Sequence, residues 1–307
     1  FGDDDWREWV LGEDEAREII ERAIDLGINF FDTANMYSNG ESERILGDVL
    51  SEYDRDWPVV ATKVWGDMDP ENPNASGLSR KAIEQELQAS LDRLGMDTID
   101  LYQIHRWDYD TPIEETLRTL DDAVRRNQVR YVGASSMWAY QFASALHASD
   151  LHDLERFQTM QNHYNLAYRE EEREMLPLCE REGVGALPWS PLGRGYLTRP
   201  DDEFVATKRG QSTEAGQFAD RIEAYRANGG VEVNERVEEL AAEKGVSMAQ
   251  IALAWLLHQD AVDAPIVGTT SVEHLEDAVE AVEIDLSASD QEYLEEPYEP
   301  VPIEGHD

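Results

Sequence analysis

The sequence predicts an α/β fold built on a parallel sheet, because short apolar runs alternate with longer amphipathic segments along its 307 residues. The predicted strands are 28–32, 59–64, 98–104, 130–134, 157–161, 184–188 and 263–267. The predicted helices lie near 14–26, 42–52, 79–94, 113–126, 138–147, 169–181, 234–244, 248–258 and 272–282. Strands that alternate with helices form right-handed crossovers, which make neighbouring strands parallel.

Two architectures fit this alternation, a (β/α)8 barrel and an open doubly wound sheet. The seven predicted strands leave room for an eighth just before Phe1, which would complete a barrel. No linker or internal repeat divides the sequence, so we expect one domain over residues 1–307. The longest irregular stretch lies near 192–232. We expect it to be a cofactor or substrate loop, because long loops in compact domains usually carry function.

Acidic residues dominate the charge, with 66 Asp and Glu against 26 Lys and Arg and a net charge of -40. They are scattered through patterned segments, which predicts an acidic, hydrated surface on a folded body. Salt screens the mutual repulsion of such a surface, since the Debye length falls to about 3 Å at 1 M. We therefore expect a halophilic protein from a salt-rich cytoplasm, stable in molar salt and weakened in dilute buffer.

The composition disfavours two classes of partner. The chain offers no basic face to neutralise the phosphates of a nucleic acid. It has no run of 18 apolar residues, so we expect no membrane span. A single cysteine, Cys179, cannot form an internal disulfide and agrees with a reducing cytosol. The expected partner is therefore a small-molecule substrate in the cytoplasm.

Ionisable side chains recur where predicted strands end, which is where barrel enzymes place their catalytic groups. Asp32 ends the first predicted strand, and Tyr37 follows it in the loop. Lys63 lies within VVATKV, and His105 directly follows TIDLYQI. A strand-terminal Asp or a lone His is more often structural. A lysine in an apolar strand, however, needs a partner, and Asp32 offers one.

Together the four side chains have the chemistry to reduce a carbonyl group. Tyr37 can donate a proton to the developing alkoxide, and a neighbouring Lys63 ammonium would ease its release. Asp32 would keep Lys63 charged and oriented, while His105 would hydrogen-bond the carbonyl oxygen. The sequence holds no GxSxG elbow, Walker loop, HExxH or clustered metal ligands, so we expect no competing chemistry and no metal.

The segments that carry these residues resemble the aldo-keto reductase superfamily. GINFFDTANMYSNGESERILG (27–47) is similar to the first family signature, LDRLGMDTIDLYQIHRWD (91–108) to the second, and ATKVW supplies the lysine. WSPLGRGYLT, HRWD and YEPVPIEGH further resemble the branch that contains aryl-alcohol dehydrogenases and potassium-channel beta subunits. The resemblance spans nearly the whole chain. It implies a (β/α)8 TIM barrel whose first strand would precede Phe1.

The resemblance also implies a nicotinamide cofactor that passes a hydride to the substrate carbonyl while Tyr37 protonates the oxygen. In such a site Ser135 and Gln161 hold the carboxamide, Trp189 stacks on the nicotinamide, and the following loop wraps the pyrophosphate. Ser136 stands where many members have Asn, and Trp189 where many have Tyr. The implied cofactor-binding residues are Ser135, Ser136, Gln161, Trp189, Ser190, Pro191, Leu192, Gly193, Arg194, Gly195, Gly268, Thr269, Thr270, Ser271, His274, Asp277 and Ala278.

The last of these segments departs from the family pattern. Residues 268–271 offer hydroxyls and backbone donors at a helix N-terminus, which suits a phosphate. Many relatives place Arg or Lys here for the 2′-phosphate of NADP, whereas this chain has only His274. Asp277 and Ala278 replace the Glu-Asn pair that holds adenine. A general loss of basic residues in an acidic chain explains why the Arg or Lys is missing. NADP(H) therefore remains the favoured cofactor, with NAD(H) as the alternative.

Two tryptophans lie near the predicted catalytic residues, and two other functions fit parts of the sequence. Trp65 and Trp107 neighbour the catalytic positions, and we expect them to line a pocket for aromatic or medium-sized apolar aldehydes. Packing behind the pocket is the other interpretation of Trp107. A second hypothesis is an NADP-binding regulatory or redox-sensing barrel with little turnover, because the beta subunits can retain the same four residues. A third, an unrelated barrel isomerase or lyase, conflicts with the presence of all four.

Overall fold

Six strands form one sheet in the computed structural model, which describes residues 1–2, 10–204 and 215–300. The strands are β1 Phe30–Asp32, β2 Val59–Val64, β3 Ile99–Ile104, β4 Val129–Ser135, β5 Thr159–Gln161 and β6 Gly185–Ala186. They are hydrogen bonded in sequence order, and the pairs from β1 to β5 are parallel. The predicted α/β class is confirmed. Sequential order is that of a barrel wall, whereas a doubly wound sheet reverses its strand order.

Helices connect these strands and continue beyond them. In chain order they are α1 Glu13–Asp25, α2 Glu41–Leu50, α3 Arg80–Leu94, α4 Ile113–Arg125, α5 Ala139–His152, α6 Met175–Glu182, α7 Asp201–Phe204, α8 Ala215–Ala227, α9 Gly230–Lys244, α10 Met248–Leu257, α11 Val272–Glu280 and α12 Ala288–Glu295. Short 3-10 helices lie at Tyr37–Gly40, Glu170–Glu172, Gly193–Thr198 and Ala281–Glu283. Every predicted helix overlaps an observed one.

Local sequence sets the bounds of α3, a helix that packs near the first strands. The Ser79 hydroxyl accepts a hydrogen bond from the Ala82 N–H at 3.3 Å and caps the N-terminus. The helix ends at Gly95, whose φ of 63° lies in the left-handed region. Ile83 and Leu87 are buried at helical spacing, so α3 turns its apolar face toward β2.

The predicted strand 263–267 is wrong, because the structure gives it a single parallel bridge between Ile266 and Trp189. Pro265 has no N–H to donate to a ladder. The Asp263 carboxylate also accepts the hydrogen bond of the Ala186 N–H at 2.8 Å, where a regular ladder uses a backbone carbonyl. The eighth strand expected before Phe1 lies outside the described residues, as does the end of the YEPVPIEGH segment, 301–306.

The segment 192–232 is more regular than predicted where the structure describes it. It holds the turn Gly193–Thr198, then α7 and α8, while residues 205–214 lie outside the described part. Ile222 and Tyr225 of α8 are buried. The sequence places Phe218, Ile222 and Tyr225 four and three residues apart, a helical spacing that the polar composition conceals. Its role as a cofactor or substrate loop stays a prediction.

The chain divides into two compact units. The first comprises the described residues of Phe1–Gln161, Leu178–Gly185 and Thr269–Leu275, and it carries β1 to β5. All six residues of β3 are buried, so this strand is covered on both faces. The second comprises the described residues of Asn162–Pro177, Ala186–Gly268 and Glu276–Asp307. Its core includes Tyr164, Tyr196, Tyr225 and Trp255. The single domain expected from the sequence stays a prediction.

No single helix within the described ranges is long and apolar enough to cross a membrane. The neighbours α9 and α10 reach that length and hydropathy only when taken together, and they meet at an angle of 100°. Most of α10 is buried in the core of the second unit, including Ile251 and Trp255. The apolar character of α10 is therefore that of a core helix.

Candidate active site

Four ionisable side chains lie together at the ends of the first three strands. Asp32 is the last residue of β1, Lys63 the penultimate residue of β2, and His105 directly follows β3. The Lys63 ammonium donates hydrogen bonds to Asp32 Oδ2 and, at 2.8 Å, to the Thr33 carbonyl. Its Nζ lies 5.2 Å from the ring centroid of Tyr37, whose ring meets that of His105 edge-on at 5.7 Å. The structure thus brings the four predicted catalytic residues together.

A tight turn, Tyr37–Gly40, carries the phenol. The three residues after Tyr37 all have a left-handed backbone: Ser38, Asn39 and Gly40, with φ of 48°, 52° and 94°. Gly40 leaves room for the Arg93 side chain of α3, because a Cβ at this position would lie 2.5 Å from the Arg93 Cδ. The turn that carries Tyr37 therefore packs closely against α3.

Lys63 is fully buried, and its surroundings keep it charged. Burial lowers the pKa of the ammonium, but the Asp32 carboxylate and the Tyr37 side chain raise it by more than burial lowers it. The pKa of Lys63 therefore lies above its ordinary value. A buried lysine without such partners would lose its charge or destabilise the fold. The ion pair therefore presents a permanent ammonium to the phenol at neutral pH.

His105 is held in its neutral form. Burial, followed by the positive charges of Lys63 and Arg106, lowers the pKa of His105 to about 2. The His105 backbone N–H donates to the Val64 carbonyl at 2.9 Å, which fixes this residue beside β2. Its Nδ1 has no hydrogen-bond partner within the described ranges. A neutral imidazole carries one donor and one acceptor, so His105 can donate to a substrate oxygen without changing its charge.

Ser135 and Gln161, predicted to hold a nicotinamide carboxamide, lie together with Ser136 at the ends of β4 and β5. The Ser135 hydroxyl donates to the Gln161 carbonyl oxygen at 2.9 Å, and the Ser136 N–H donates to the same oxygen at 3.2 Å. Ser136 has a φ of 50°, so the chain turns sharply directly after β4. The Gln161 side-chain Nε2 donates to Asp32 Oδ1 at 2.9 Å. Gln161 therefore contacts the Asp32–Lys63 pair directly.

Sequence reasoning missed Gln103, a fully buried side chain in the middle of this site. Its Nε2 donates to Asp32 Oδ1 at 3.0 Å, and its Oε1 accepts from Gln161 Nε2 at 3.3 Å. Gln103 pairs in register with Lys63 on β2 and with Gly133 on β4. The signal was present in TIDLYQI, where a polar residue interrupts an apolar strand two positions before His105, on the same face.

Trp65 and Trp107, the predicted substrate residues, are both partly buried. Trp65 directly follows β2 and has a φ of 153°, a value that residues other than glycine rarely adopt. Its carbonyl accepts from the Gly77 N–H at 2.9 Å. Trp107 lies in the loop after β3, where the neighbouring Asp108 carboxylate accepts from the Leu78 N–H at 2.8 Å. Hydrogen bonds from the segment before α3 therefore hold both tryptophan-bearing loops.

In the second unit, Trp189 belongs to an aromatic stack. Its ring lies on that of His163 at a centroid distance of 4.4 Å, and His163 lies in turn on Tyr168 at 4.5 Å. The Tyr225 hydroxyl is hydrogen bonded to His163 Nε2 at 2.7 Å. Burial and two nearby arginines lower the pKa of His163 to about 3, so the stack is neutral. Sequence reasoning left His163 unassigned, although it directly follows the glutamine–asparagine pair at the end of β5.

The loop after Trp189 folds through left-handed backbone. Four residues have positive φ: Ser190 (54°), Gly193 (56°), Arg194 (61°) and Gly195 (96°). The Ser190 carbonyl accepts from Asn165 Nδ2 and from the Gly193 N–H, both at 3.0 Å. The Arg194 guanidinium carbon lies 5.9 Å from the Trp189 ring centroid. The predicted pyrophosphate loop, 190–195, is therefore a compact turn tied to its own unit.

The predicted phosphate residues of the first unit lie at the start of α11. The Thr269 hydroxyl donates to the Ser271 carbonyl at 3.0 Å, and Ser271 Oγ accepts from the His274 N–H at 3.2 Å. Thr270 lies between the two hydroxyl residues. The Ser271 hydroxyl therefore caps the start of α11, at the end where backbone N–H groups favour an anion.

The predicted adenine residues of the second unit are Asp277 and Ala278 of α11. The Asp277 carboxylate accepts from the Ser247 hydroxyl at 2.6 Å. Ser247 also caps α10, where its hydroxyl accepts from the Gln250 N–H at 3.1 Å. Asp277 is therefore engaged by the start of α10.

The first unit offers a proton donor and a neutral hydrogen-bond donor side by side. The phenol of Tyr37 is backed by the Lys63 ammonium, and the His105 imidazole stands at its edge. Such a pair can protonate and orient the same substrate oxygen. Within residues 1–2, 10–204 and 215–300, no group of three or more His, Cys, Asp or Glu side chains is arranged to hold a metal ion.

The sequence is similar to known proteins over nearly its whole length. The pattern that defines the aldo/keto reductase family matches residues 2–299. An aldo-keto reductase of Alternaria alternata is 40% identical over 100% of this chain and 88% of its own. A candidate aryl-alcohol dehydrogenase of Schizosaccharomyces pombe is 44% identical over 98% of this chain and 90% of its own. The versiconal hemiacetal acetate reductase of Aspergillus parasiticus is 40% identical over 99% and 92%. The chain therefore belongs to the aldo/keto reductase family.

Proposed function

We propose that this protein is an NADP(H)-dependent oxidoreductase that reduces aldehydes or ketones to alcohols by hydride transfer, with Tyr37 as the proton donor. The observation that carries the proposal is the ion pair between the fully buried Lys63 and the partly buried Asp32, beside the Tyr37 ring. An ammonium that stays charged in a buried site favours proton release from an adjacent phenol. Membership of a family whose relatives are named reductases supports the same chemistry.

The residues present fit a nicotinamide cofactor. Ser135 supplies a hydroxyl at the end of β4, and Gln161 supplies an amide at the end of β5. The Gln161 amide donates to the Asp32 carboxylate, and the Ser135 hydroxyl donates to the Gln161 carbonyl. Trp189 supplies a flat ring held by stacking on His163, which suits a planar heterocycle. When bound, the reduced dinucleotide supplies the hydride.

The chain's own residues manage the proton. Tyr37 holds the proton that the product alcohol requires, and Lys63 stabilises the phenolate that remains. Asp32 and the Thr33 carbonyl hold two of the N–H bonds of that ammonium and so fix its direction. His105 is neutral at physiological pH, since its pKa is about 2, and it donates a hydrogen bond that positions the substrate oxygen.

NADP(H) is our proposed cofactor, with NAD(H) as the alternative. The hydroxyls of Thr269 and Ser271 lie at the start of α11, where backbone N–H groups suit a phosphate without a lysine or arginine. In a chain of net charge -40, the loss of a basic residue at this loop follows the general loss of basic residues. The ratio of the two nucleotide Kd values measures this preference.

Aromatic and medium-sized apolar aldehydes are the proposed substrates, because Trp65 and Trp107 lie in the loops after β2 and β3. The name of one relative, an aryl-alcohol dehydrogenase, supports an aromatic substrate. We propose a cytoplasmic location, since the single cysteine of the sequence cannot form an internal disulfide.

We further propose that the sheet closes as a (β/α)8 barrel. The sequential, parallel order of β1 to β5 supports closure, and so does membership of the family. Strand ends would then meet at one face, where Asp32, Lys63 and His105 already lie close together. An experimental structure with an open sheet edge at β1 would contradict this architecture.

The proposed function is tested by following NADPH and NADH oxidation separately in molar KCl, with aromatic and aliphatic aldehydes. We expect turnover with aromatic aldehydes and a lower Kd for NADPH. Tyr37→Phe keeps the ring against His105 but removes the hydroxyl. It is expected to lower kcat by about 10²- to 10⁴-fold, with the nucleotide Kd unchanged within about twofold.

Two results would contradict the proposal in different ways. Nucleotide binding without oxidation by any aldehyde would favour a redox-sensing regulator over an enzyme. Failure to bind either nucleotide would overturn the reductase assignment altogether. Equal kcat values for Tyr37→Phe and the wild-type protein would remove Tyr37 from its role as proton donor.

A further inference from the structure

The Asp32 carboxylate uses both of its oxygens inside the first unit. Oδ2 accepts from the Lys63 ammonium, while Oδ1 accepts from Gln103 Nε2 at 3.0 Å and from Gln161 Nε2 at 2.9 Å. Hydrogen bonds to a charged acceptor are about twice as strong as those between neutral groups. One ammonium and two amides therefore fix this carboxylate in a single orientation.

Gln103 is built into its position by the neighbouring strands. Its side chain is fully buried in a strand whose six residues are all buried. The adjacent Gly133 leaves the necessary space, because a Cβ there would lie 3.0 Å from Gln103 Cγ and 2.4 Å from Thr159 Oγ1. A buried amide is unfavourable unless it is hydrogen bonded, and Asp32 and Gln161 provide those bonds.

The two amides are not equivalent. Gln161 Nε2 lies within hydrogen-bond distance of both Asp32 Oδ1 and, at 3.3 Å, Gln103 Oε1. Gln161 is also one of the residues proposed to hold the nicotinamide carboxamide, so the cofactor and Asp32 would compete for its amide. Gln103 has no such role. When Gln161 turns toward a ligand, Gln103 remains the amide donor to Asp32 Oδ1.

We propose that Gln103 is a positioning residue of the carbonyl reduction: it holds Asp32, and through Asp32 the Lys63 ammonium, in place for Tyr37 while Gln161 engages the cofactor. The inference rests on the proposed function. In the part of the chain that the structure describes, its side-chain hydrogen bonds join Asp32 and Gln161, so Gln103 would act through Asp32. Its removal should therefore disturb proton delivery more than substrate or cofactor binding.

The first test is Gln103→Leu, which keeps the volume and removes the amide. We expect kcat to fall about 10- to 100-fold, since small misplacements in a catalytic site have effects of this size. KM and the nucleotide Kd should change by no more than about twofold. Gln141→Leu is the matched control, because Gln141 is only 2% exposed and accepts from the Trp138 N–H at 3.0 Å, at the start of α5. It should lower Tm without lowering kcat.

The second test is Gln103→Glu, which keeps the shape but makes the group titratable. The titratable side chains around this position are the charged pair Asp32 and Lys63 and, beyond Lys63, Tyr37 and His105. A protonated glutamic acid can donate to Asp32 Oδ1 as the amide does, whereas the ionised form repels it. We expect kcat to approach the wild-type value at low pH and to fall as the pH rises, a limb absent from the wild-type profile.

The outcomes separate this inference from the proposed function. Gln103→Leu with a wild-type kcat, or Gln103→Glu with a wild-type pH profile, would overturn the inference and leave the proposed function intact. An equal loss at every pH in Gln103→Glu would show a structural role and also overturn it. No turnover by the wild-type protein would overturn the proposed function and this inference with it. If circular dichroism shows that Gln103→Leu does not fold, the pH profile of Gln103→Glu decides.

Discussion

The two units of the molecule hold their functional side chains by different physics. In the first, the fully buried Lys63 and the partly buried Asp32 are charged and fixed by hydrogen bonds among β1, β2 and β3. In the second, Trp189 is neutral, lies before an irregular turn and is held by stacking on a neutral His163. Buried charges need nearly ideal partners, whereas a stacked ring tolerates a less regular backbone. We therefore expect the first region to govern turnover and the second to govern cofactor binding.

The largest expected effect on stability comes from Lys63→Met, which removes the ammonium but keeps an apolar stem. It leaves the Asp32 carboxylate without its charged partner, so we expect the free energy of unfolding to fall by about 3–5 kcal/mol. We expect kcat to fall by about 10²- to 10³-fold. Urea denaturation and the aldehyde assay measure the two effects.

The control for Lys63→Met is the double variant Lys63→Met, Asp32→Asn. Both charges are then absent, so much of the lost stability should return while kcat stays low. A double variant as unstable as the single one would show that packing around the lysine stem, and not the unpaired charge, caused the loss.

Trp189→Leu tests the second region and should act on binding. The stack on His163 is lost, and aromatic pairs contribute about 0.5–1.5 kcal/mol beyond the area they bury. We expect the nucleotide Kd to rise up to about tenfold, with kcat at saturation changed by no more than about twofold. Trp57→Leu, at a site 36% exposed, is the control. A large fall in kcat with an unchanged Kd would erase the distinction between the two regions.

His163→Phe sharpens the comparison through pH. The pKa of His163 is lowered from 6.5 to about 3 in the folded protein, so the unfolded chain binds protons more readily. Wild-type stability is therefore lost as the pH falls from about 6.5 toward 3. The variant keeps a stacked ring but cannot titrate. As the pH falls through that range, its free energy of unfolding should therefore rise relative to that of the wild type. Urea denaturation of both proteins at several pH values between about 3 and 7 measures this difference, and an equal pH dependence in the two would contradict it.

Salt should have the smallest effect on the difference between the regions. Raising KCl from 0.2 to 2 M screens the acidic surface, and we expect Tm to rise by a few degrees. Lys63 is fully buried and Asp32 partly buried, so salt screens this pair far less, and the destabilisation caused by Lys63→Met should be nearly the same at both salt concentrations. A Tm that falls as KCl rises would contradict the halophilic interpretation.

The sequence predicted the strand-borne part of the site better than the rest. Asp32, Lys63 and His105 were found because charged groups at the ends of apolar strands are conspicuous, and parallel pairing brings such ends together. Trp65 was placed beside the site, but nothing in the pattern indicated its φ of 153°. Such backbone values depend on the loops that surround the residue.

Three features escaped prediction for identifiable reasons. Gln103 was overlooked although it interrupts an apolar strand, because the pattern does not show that its amide meets Asp32 of β1. The strand expected at 263–267 failed because Asp263 replaces a backbone acceptor with a carboxylate, a substitution that only the fold shows. α8 was overlooked because polar residues surround its apolar positions. Side-chain pairing between distant strands therefore limits what pattern alone can reveal.

The absent side chain at Gly133 has a practical consequence for redesign. Gln103 and Thr159 fill the space beside this glycine. Even the Cβ of an alanine would lie 2.4 Å from Thr159 Oγ1 and 3.0 Å from Gln103 Cγ, so these side chains would have to move. A mutant library that randomised this position would lose activity without ever touching the substrate pocket. Directed evolution toward new aldehydes should leave that codon fixed and diversify the two positions that we expect to line the substrate pocket, Trp65 and Trp107.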